Sequence, residues 1–226
     1  MHSRNKGFTL VELLVVISII LIASSIIFVG SGSGDGTKLS ASQRILAGIA
    51  QGARGQAILK NAPTRLIIYS ENNAQGDPEK FLRFFGIVYL RENAVDANGN
   101  ALPDGWVAAT QGTYLPEGVY FDPDLSSNNN WAASNTMNVE FPRLSAQSSG
   151  SGPEYYYYEF KNNGTMANTF ENDWLVIRSG TLRPNNSGEL TVVFPQADEE
   201  GVSLKSGLIF RRVGTTTMVS DPSDIN

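Results

Sequence analysis

Hydrophobic and polar positions are spread unevenly along this chain, and the unevenness divides it. Residues 8–29, FTLVELLVVISIILIASSIIFV, are apolar almost without interruption. A run with no polar face predicts a helix in an apolar solvent. At 1.5 Å per residue it reaches about 33 Å, enough to cross the hydrocarbon layer of a membrane. Residues 30–37, beginning GSGSGDG, predict a linker, because four glycines within seven positions should break or loosen a helix. They match neither the dinucleotide loop nor the Gly-Lys-Ser/Thr phosphate loop, and no strand precedes them. From Lys38 to Lys60, Leu39, Ile45, Leu46, Ile49, Ala53 and Ala57 recur near helical spacing. Ser40 or Ser42 is placed to cap that helix, and Asn61 before Ala62-Pro63 to end it. Gly48, Gly52 and Gly55 weaken it by about 1 kcal/mol each. Their missing side chains are expected to let a sheet approach closely.

Beyond Pro63 the pattern shortens to strands and turns. Arg65–Ser70, Phe81–Leu90, Trp106–Ala109, Gly118–Phe121, Tyr155–Phe160, Trp174–Ile177, Leu190–Phe194 and Gly207–Phe210 read as strands. In Tyr155–Phe160, Tyr156, Tyr158 and Phe160 share one face. No helix-length periodic segment falls among these strands. The expected fold class is α+β: residues 38–226 form a head in which a helix at 38–60 covers an antiparallel sheet, or two packed sheets, over 64–220.

Charge sharpens the reading of the first thirty residues. Arg4 and Lys6 precede the apolar run, which marks that side as cytoplasmic and places the remainder outside the cytoplasm. A secretory signal would share that charged start, and Ala23-Ser24-Ser25 offers small residues for its cleavage. Glu12 argues against it. A carboxylate inside the bilayer costs about 2.5–3.5 kcal/mol on the insertion scale, and a segment destined for removal gains nothing from that cost. A carboxylate retained there needs a cationic partner.

Lys6-Gly7-Phe8-Thr9-Leu10-Val11-Glu12-Leu13 closely resembles the type IV prepilin signature. The resemblance implies a leader of residues 1–7, cut after Gly7 by prepilin peptidase, and N-methylation of the new terminal Phe8. It makes 8–29 a transmembrane and assembly helix, with Thr9 and Glu12 in its assembly motif. Glu12 would pair with the terminal amine of a neighbouring subunit. Two groups too costly to bury singly offset each other when a filament brings them together. The head resembles, more loosely, the H-type minor pseudopilins of type II secretion and the T-type fimbrial minor pilins. Four stretches carry that likeness: Ala50–Pro63 leading into the first strand, Gly112–Val119 with its Leu115-Pro116-Glu117-Gly118-Val119 segment, Phe160–Thr165 with its Asn162-Asn163-Gly164 turn, and the closing strand Phe210–Gly214.

Composition then removes other classes. Cysteine is absent and the single histidine is His2. Thiol nucleophiles, disulfides, Cys-ligated metals and histidine-based acid–base chemistry all lack their residues. If the leader is cut, His2 goes with it. Arg4 and Lys6 leave too, which moves the net charge from −5 to −7. An acidic chain has no electrostatic footprint for nucleic acid. Asp96, Asn98, Asn100 and Asp104 space side-chain oxygens as calcium loops do, yet Val107 stands where a helix–loop–helix site closes with glutamate. Asp/Asn/Gly turns explain the same residues. Tyr155-Tyr156-Tyr157-Tyr158 is readable as a sugar- or partner-binding surface, or as a strand covered on both faces.

The resemblance therefore implies a structural subunit without catalytic residues or cofactor, anchored in the inner membrane with its head in the periplasm. The implied partners are prepilin peptidase, other pilins in a filament, an inner-membrane assembly platform, membrane lipid and secreted substrate. The competing reading is a membrane-tethered β-rich binding module or enzyme, for instance one that recognises carbohydrate.

Overall fold

The computed structural model describes residues 34–73, 76–126, 135–148, 150–195 and 205–220. Two compact units divide the chain, Met1–Thr37 and Lys38–Asn226, and the second is the head.

Helix α1 runs Gly34–Lys60. It starts four residues before the predicted Lys38, so part of the glycine-rich stretch is helical. Gly34 and Gly36 lie in its first turn, and once a long helix is nucleated each further residue adds at little cost. Ser42 lies inside the helix, its hydroxyl donating to the Lys38 carbonyl. Asn61 closes the helix in the left-handed conformation (φ 47°), as an Asn at that position does.

The buried stripe of α1 is Leu39, Leu46, Ala50, Ala53 and Ala57, spaced to fall on one face. This corrects two expectations. Ile45 is 40% exposed, off the stripe. The close approach to the sheets is made by the alanines, because Gly48 and Gly55 face open space and Gly52 reaches only van der Waals distance from Ile87.

Among the described residues twelve strands follow, paired antiparallel. The first sheet holds β1 (Thr64–Tyr69), β2 (Phe84–Arg91), β3 (Gly105–Ala108), β6 (Thr136–Asn138) and β7 (Glu154–Phe160). Their order is β3-β2-β1-β7-β6, and β4 (Thr113–Tyr114) also pairs with β2. The second sheet is β12 (Thr216–Val219), β11 (Lys205–Phe210), β8 (Trp174–Ser179) and β5 (Val119–Phe121), in that order. β9 (Thr181–Pro184) and β10 (Leu190–Val193) make a separate hairpin. Strands β4, β6, β9 and β12 were not expected; all are short and weakly patterned.

Register explains the core. Leu66 on β1 stands between Ile87 and Tyr158, and Ile68 between Phe85 and Tyr156. That face joins α1 and the second sheet's Leu175, Ile177, Leu208 and Phe210 in one buried cluster. Each such apolar side chain contributes about 2 kcal/mol by leaving water. The reverse face of the first sheet buries Ile67, Tyr69, Phe84, Val88, Trp106, Met137 and Tyr155 in a second cluster with Val139 and Phe141. The pleat thus sends the Tyr155–Tyr158 run to two covered faces.

Phe81–Arg83, expected in strand, forms a turn instead. Leu82 takes φ 51°, which lets Phe81 and Leu82 enter the same core cluster, as consecutive residues of a pleated strand cannot. The Leu82 amide donates to the Tyr69 carbonyl of the first sheet, and its carbonyl accepts from the Phe121 amide of the second.

Candidate functional site

Gly7, Phe8, Thr9 and Glu12 lie outside the described residues, as do the cleavage position and the whole apolar run. What the structure describes is how the head holds the helix that follows them. The Gln43 side chain is buried on α1. Its Nε2 donates to the main-chain oxygens of Gly207, at 2.9 Å, and Val219, at 2.8 Å. Gln51 reaches Thr216 on the same edge strand, at 3.4 Å. One turn further, Arg54 Nε donates to the Gly164 carbonyl at 3.2 Å. These contacts tie the helix to chain more than a hundred residues away. The apolar spacing of α1 did not announce them. The available signal was a glutamine three residues before Leu46, on the buried side of the helix.

Gly164 and Gly214 close two turns at the carboxyl end of α1. A β-carbon on Gly214 would stand 1.8 Å from the Gly164 oxygen, and one on Gly164 would stand 2.7 Å from Ile58. Both positions have φ near +80°, so backbone and space require glycine together. Asn162 Nδ2 donates to Asn61 Oδ1 across the same junction.

The suspected calcium loop is ordered from within. Asp96 Oδ1 accepts the amides of Asn98 and Asn100, and Oδ2 accepts from the Asn100 side chain. Asp104 Oδ1 accepts the Asn93 amide. The Asn100 side-chain bond, followed by those amides, holds the Asp96 carboxyl below the ordinary carboxylate range. The loop's carboxylates thus cap its own backbone. Among the described residues no group of three Asp, Glu, His or Cys side chains converges as a metal site.

The tyrosine run is structural where it is buried. Tyr158 donates its hydroxyl to the Trp174 carbonyl, and burial pushes its phenol well up. Burial also raises the Tyr155 phenol, helped by Tyr69, Asp77 and Glu71.

Residues 2–28 match the prokaryotic N-terminal methylation motif. The motif supports a type IV pilin-like prepilin, a structural subunit rather than an enzyme. It implies processing by prepilin peptidase and assembly with other pilins, and suggests a membrane anchor. No curated protein and no solved structure matches the chain. Among the described residues no helix is long and apolar enough to cross a membrane. An α+β head with one helix laid on antiparallel sheets is consistent with a pilin-like head.

Proposed function

We infer that this chain is a minor pseudopilin of a type II secretion pseudopilus or type IV pilus, nearest in kind to the H-type subunits. Prepilin peptidase removes residues 1–7, and Phe8 receives the N-methyl group. Residues 8–29 anchor the subunit in the inner membrane with the head in the periplasm. Glu12 pairs with the Phe8 amine of a neighbour during assembly on the inner-membrane platform, and the filament serves protein secretion.

The observation that carries this reading is the methylation motif over 2–28 with Glu12 inside its apolar run. A carboxylate in that setting is tolerated where a cation meets it. The Leu115–Val119 segment supports the finer assignment: it links β4 to β5 with Leu115 and Val119 buried and Glu117 exposed.

N-terminal sequencing of the purified protein tests the processing step. N-methylphenylalanine at Phe8 is expected; an intact Met1, or a start at Ile26, sinks the reading. Glu12→Leu tests the assembly step. The variant should insert in the membrane yet fail to enter filaments. Unchanged assembly would favour a tethered head acting alone.

A further inference from the structure

One end of the tyrosine run borders a polar cleft, and strand pairing decides what stands there. Asn138 on β6 lies opposite Glu154 on β7. The Ser70 amide, just past β1, donates to the Glu154 carbonyl at 3.0 Å. Side chains paired across strands share a face, so Ser70, Glu154 and Asn138 form a polar row across three strands, each about 4.8 Å from the next. Tyr156, two residues along β7, lies on the same face. Glu71 and Asn72 continue from β1, and the Asn72 carbonyl accepts the Leu190 amide at 2.6 Å, which ties this wall to the β9–β10 hairpin. These six residues line a cleft of about 420 Å³, within the roughly 300–1,000 Å³ of small-molecule sites. Ser70, Glu71, Asn138, Glu154 and Tyr156 are each half-buried.

The lining narrows the ligand by its chemistry. Its charged members are the carboxylates Glu71 and Glu154, with no Lys or Arg among the described residues beside them, so a phosphate, sulfate or carboxylate meets no counter-charge. Neighbouring charge is acidic too. Burial first, then Glu154 and Asp124, push the Tyr156 phenol up, while Asp77 is taken by Lys80 at 2.7 Å. Among the described residues no third acid converges with the pair as for a metal. An ammonium group would use the acceptors and leave the Asn72 and Asn138 amide donors unanswered. Asn138 Nδ2 makes one bond, to the Gly152 carbonyl at 3.3 Å, and has a second hydrogen to give. Ser70 Oγ is enclosed with no partner among the described residues, a state that costs stability until a partner arrives.

We propose that this cleft binds a neutral saccharide. A sugar hydroxyl both gives and accepts hydrogen bonds, and a sugar C–H face packs on an aromatic ring. Glu71 and Glu154 accept from ring hydroxyls, Asn72 and Asn138 donate to them, and Tyr156 supplies the aromatic surface. The site lies wholly on the head and does not rest on the filament reading.

Saturation-transfer NMR on the full chain, in zwitterionic micelles free of sugar, tests it. Chitopentaose, cellopentaose, maltopentaose and oligogalacturonate are the probes. At least one neutral oligomer should bind saturably; chitopentaose points to the amino-sugar backbone of a cell wall, the other two to glucans. Oligogalacturonate should bind more weakly, since its carboxylates meet Glu71 and Glu154. Glu154→Gln and Glu71→Gln should each weaken binding about tenfold, as loss of a hydrogen bond to a charged group does. Lys161→Ala, at the far end of β7, should bind as the parent. Absence of transfer to every neutral oligomer overturns the proposal. So does unchanged affinity in both glutamine variants when they melt as the parent does, or binding of oligogalacturonate as tightly as the best neutral oligomer.

Discussion

The guanidinium carbon of Arg65 stands 3.8 Å from the centre of the Tyr157 ring. The Trp106 ring centre is 4.2 Å away, and Nε donates to Glu159 at 2.7 Å. A planar cation near two rings gains about 0.5–1 kcal/mol from each. Arg65→Ala should therefore lower the unfolding free energy by about 2 kcal/mol, read from urea midpoints in detergent. Arg65→Lys keeps the charge but loses the stacked plane, and should recover less than half. Equal stability of the lysine variant would refute the stacking account.

Gln43 is the buried link between helix and second sheet. Gln43→Leu leaves the Gly207 and Val219 oxygens without that donor, and an orphaned buried acceptor costs about 1–3 kcal/mol. Hydrogen exchange at the amides of 39–50 should quicken more than exchange in β1, since the helix loses its hold first. Uniform acceleration across both would contradict a local clamp.

Gly214→Ala should be among the most damaging single changes in the head. The new methyl would overlap the Gly164 carbonyl, at 1.8 Å, in a backbone conformation that already costs a side chain about 1 kcal/mol. A loss of about 3 kcal/mol or more is expected, seen as a drop in melting temperature. Gly99→Ala makes the control, because Gly99 shares the positive φ but has open space around it. That change should cost about 1 kcal/mol.

Alkaline pH should weaken the head through its buried phenols. Tyr155 and Tyr158 are both raised by burial, while an unfolded phenol titrates near pH 10. Above that pH the unfolded chain releases protons that the fold retains, so stability is complete below about pH 10 and falls as pH rises further. Tyr155→Phe should flatten the fall in melting temperature above pH 10 relative to the parent chain. An unchanged slope would mean the phenol ionises as easily folded as unfolded.

The Asp96 loop carries the opposite sign. Its carboxyl is held low by the Asn100 side chain and then by loop amides, so the loop keeps these bonds above the ordinary carboxylate pKa and loses them as pH falls through the lowered folded value. The Asp96 carboxyl should titrate by NMR below its ordinary value of 3.8. Asn100→Ala should move that midpoint up.

Much of the fold could be read from periodicity. The strands carrying alternating or continuous large apolar residues were foreseen within a few positions, β1, β7, β8 and β11 among them. What escaped has physical reasons. β6, β9 and β12 hold few large apolar side chains, and partners far along the chain make them strands. Leu82 breaks the pleat through a backbone angle that its residue type does not advertise. On α1, glycine spacing suggested the wrong face, because Ala50, Ala53 and Ala57 are small enough to let the sheets close while retaining helix propensity. The methylation motif over residues 2–28 is legible in the sequence alone, since it is one contiguous run.

The bonds from α1 to the head also decide how the subunit bears a load. A pull entering at Gly34 along the helix axis meets Gln43, Gln51 and Arg54 at successive depths, with Leu46, Ala50 and Ala53 seated between them and Ala57 beyond. Drawn lengthwise, these contacts share the force and must yield nearly together. Prised sideways from the Gly34 end, they would open one after another. By that geometry the head holds the helix more firmly against a lengthwise pull than against a peel.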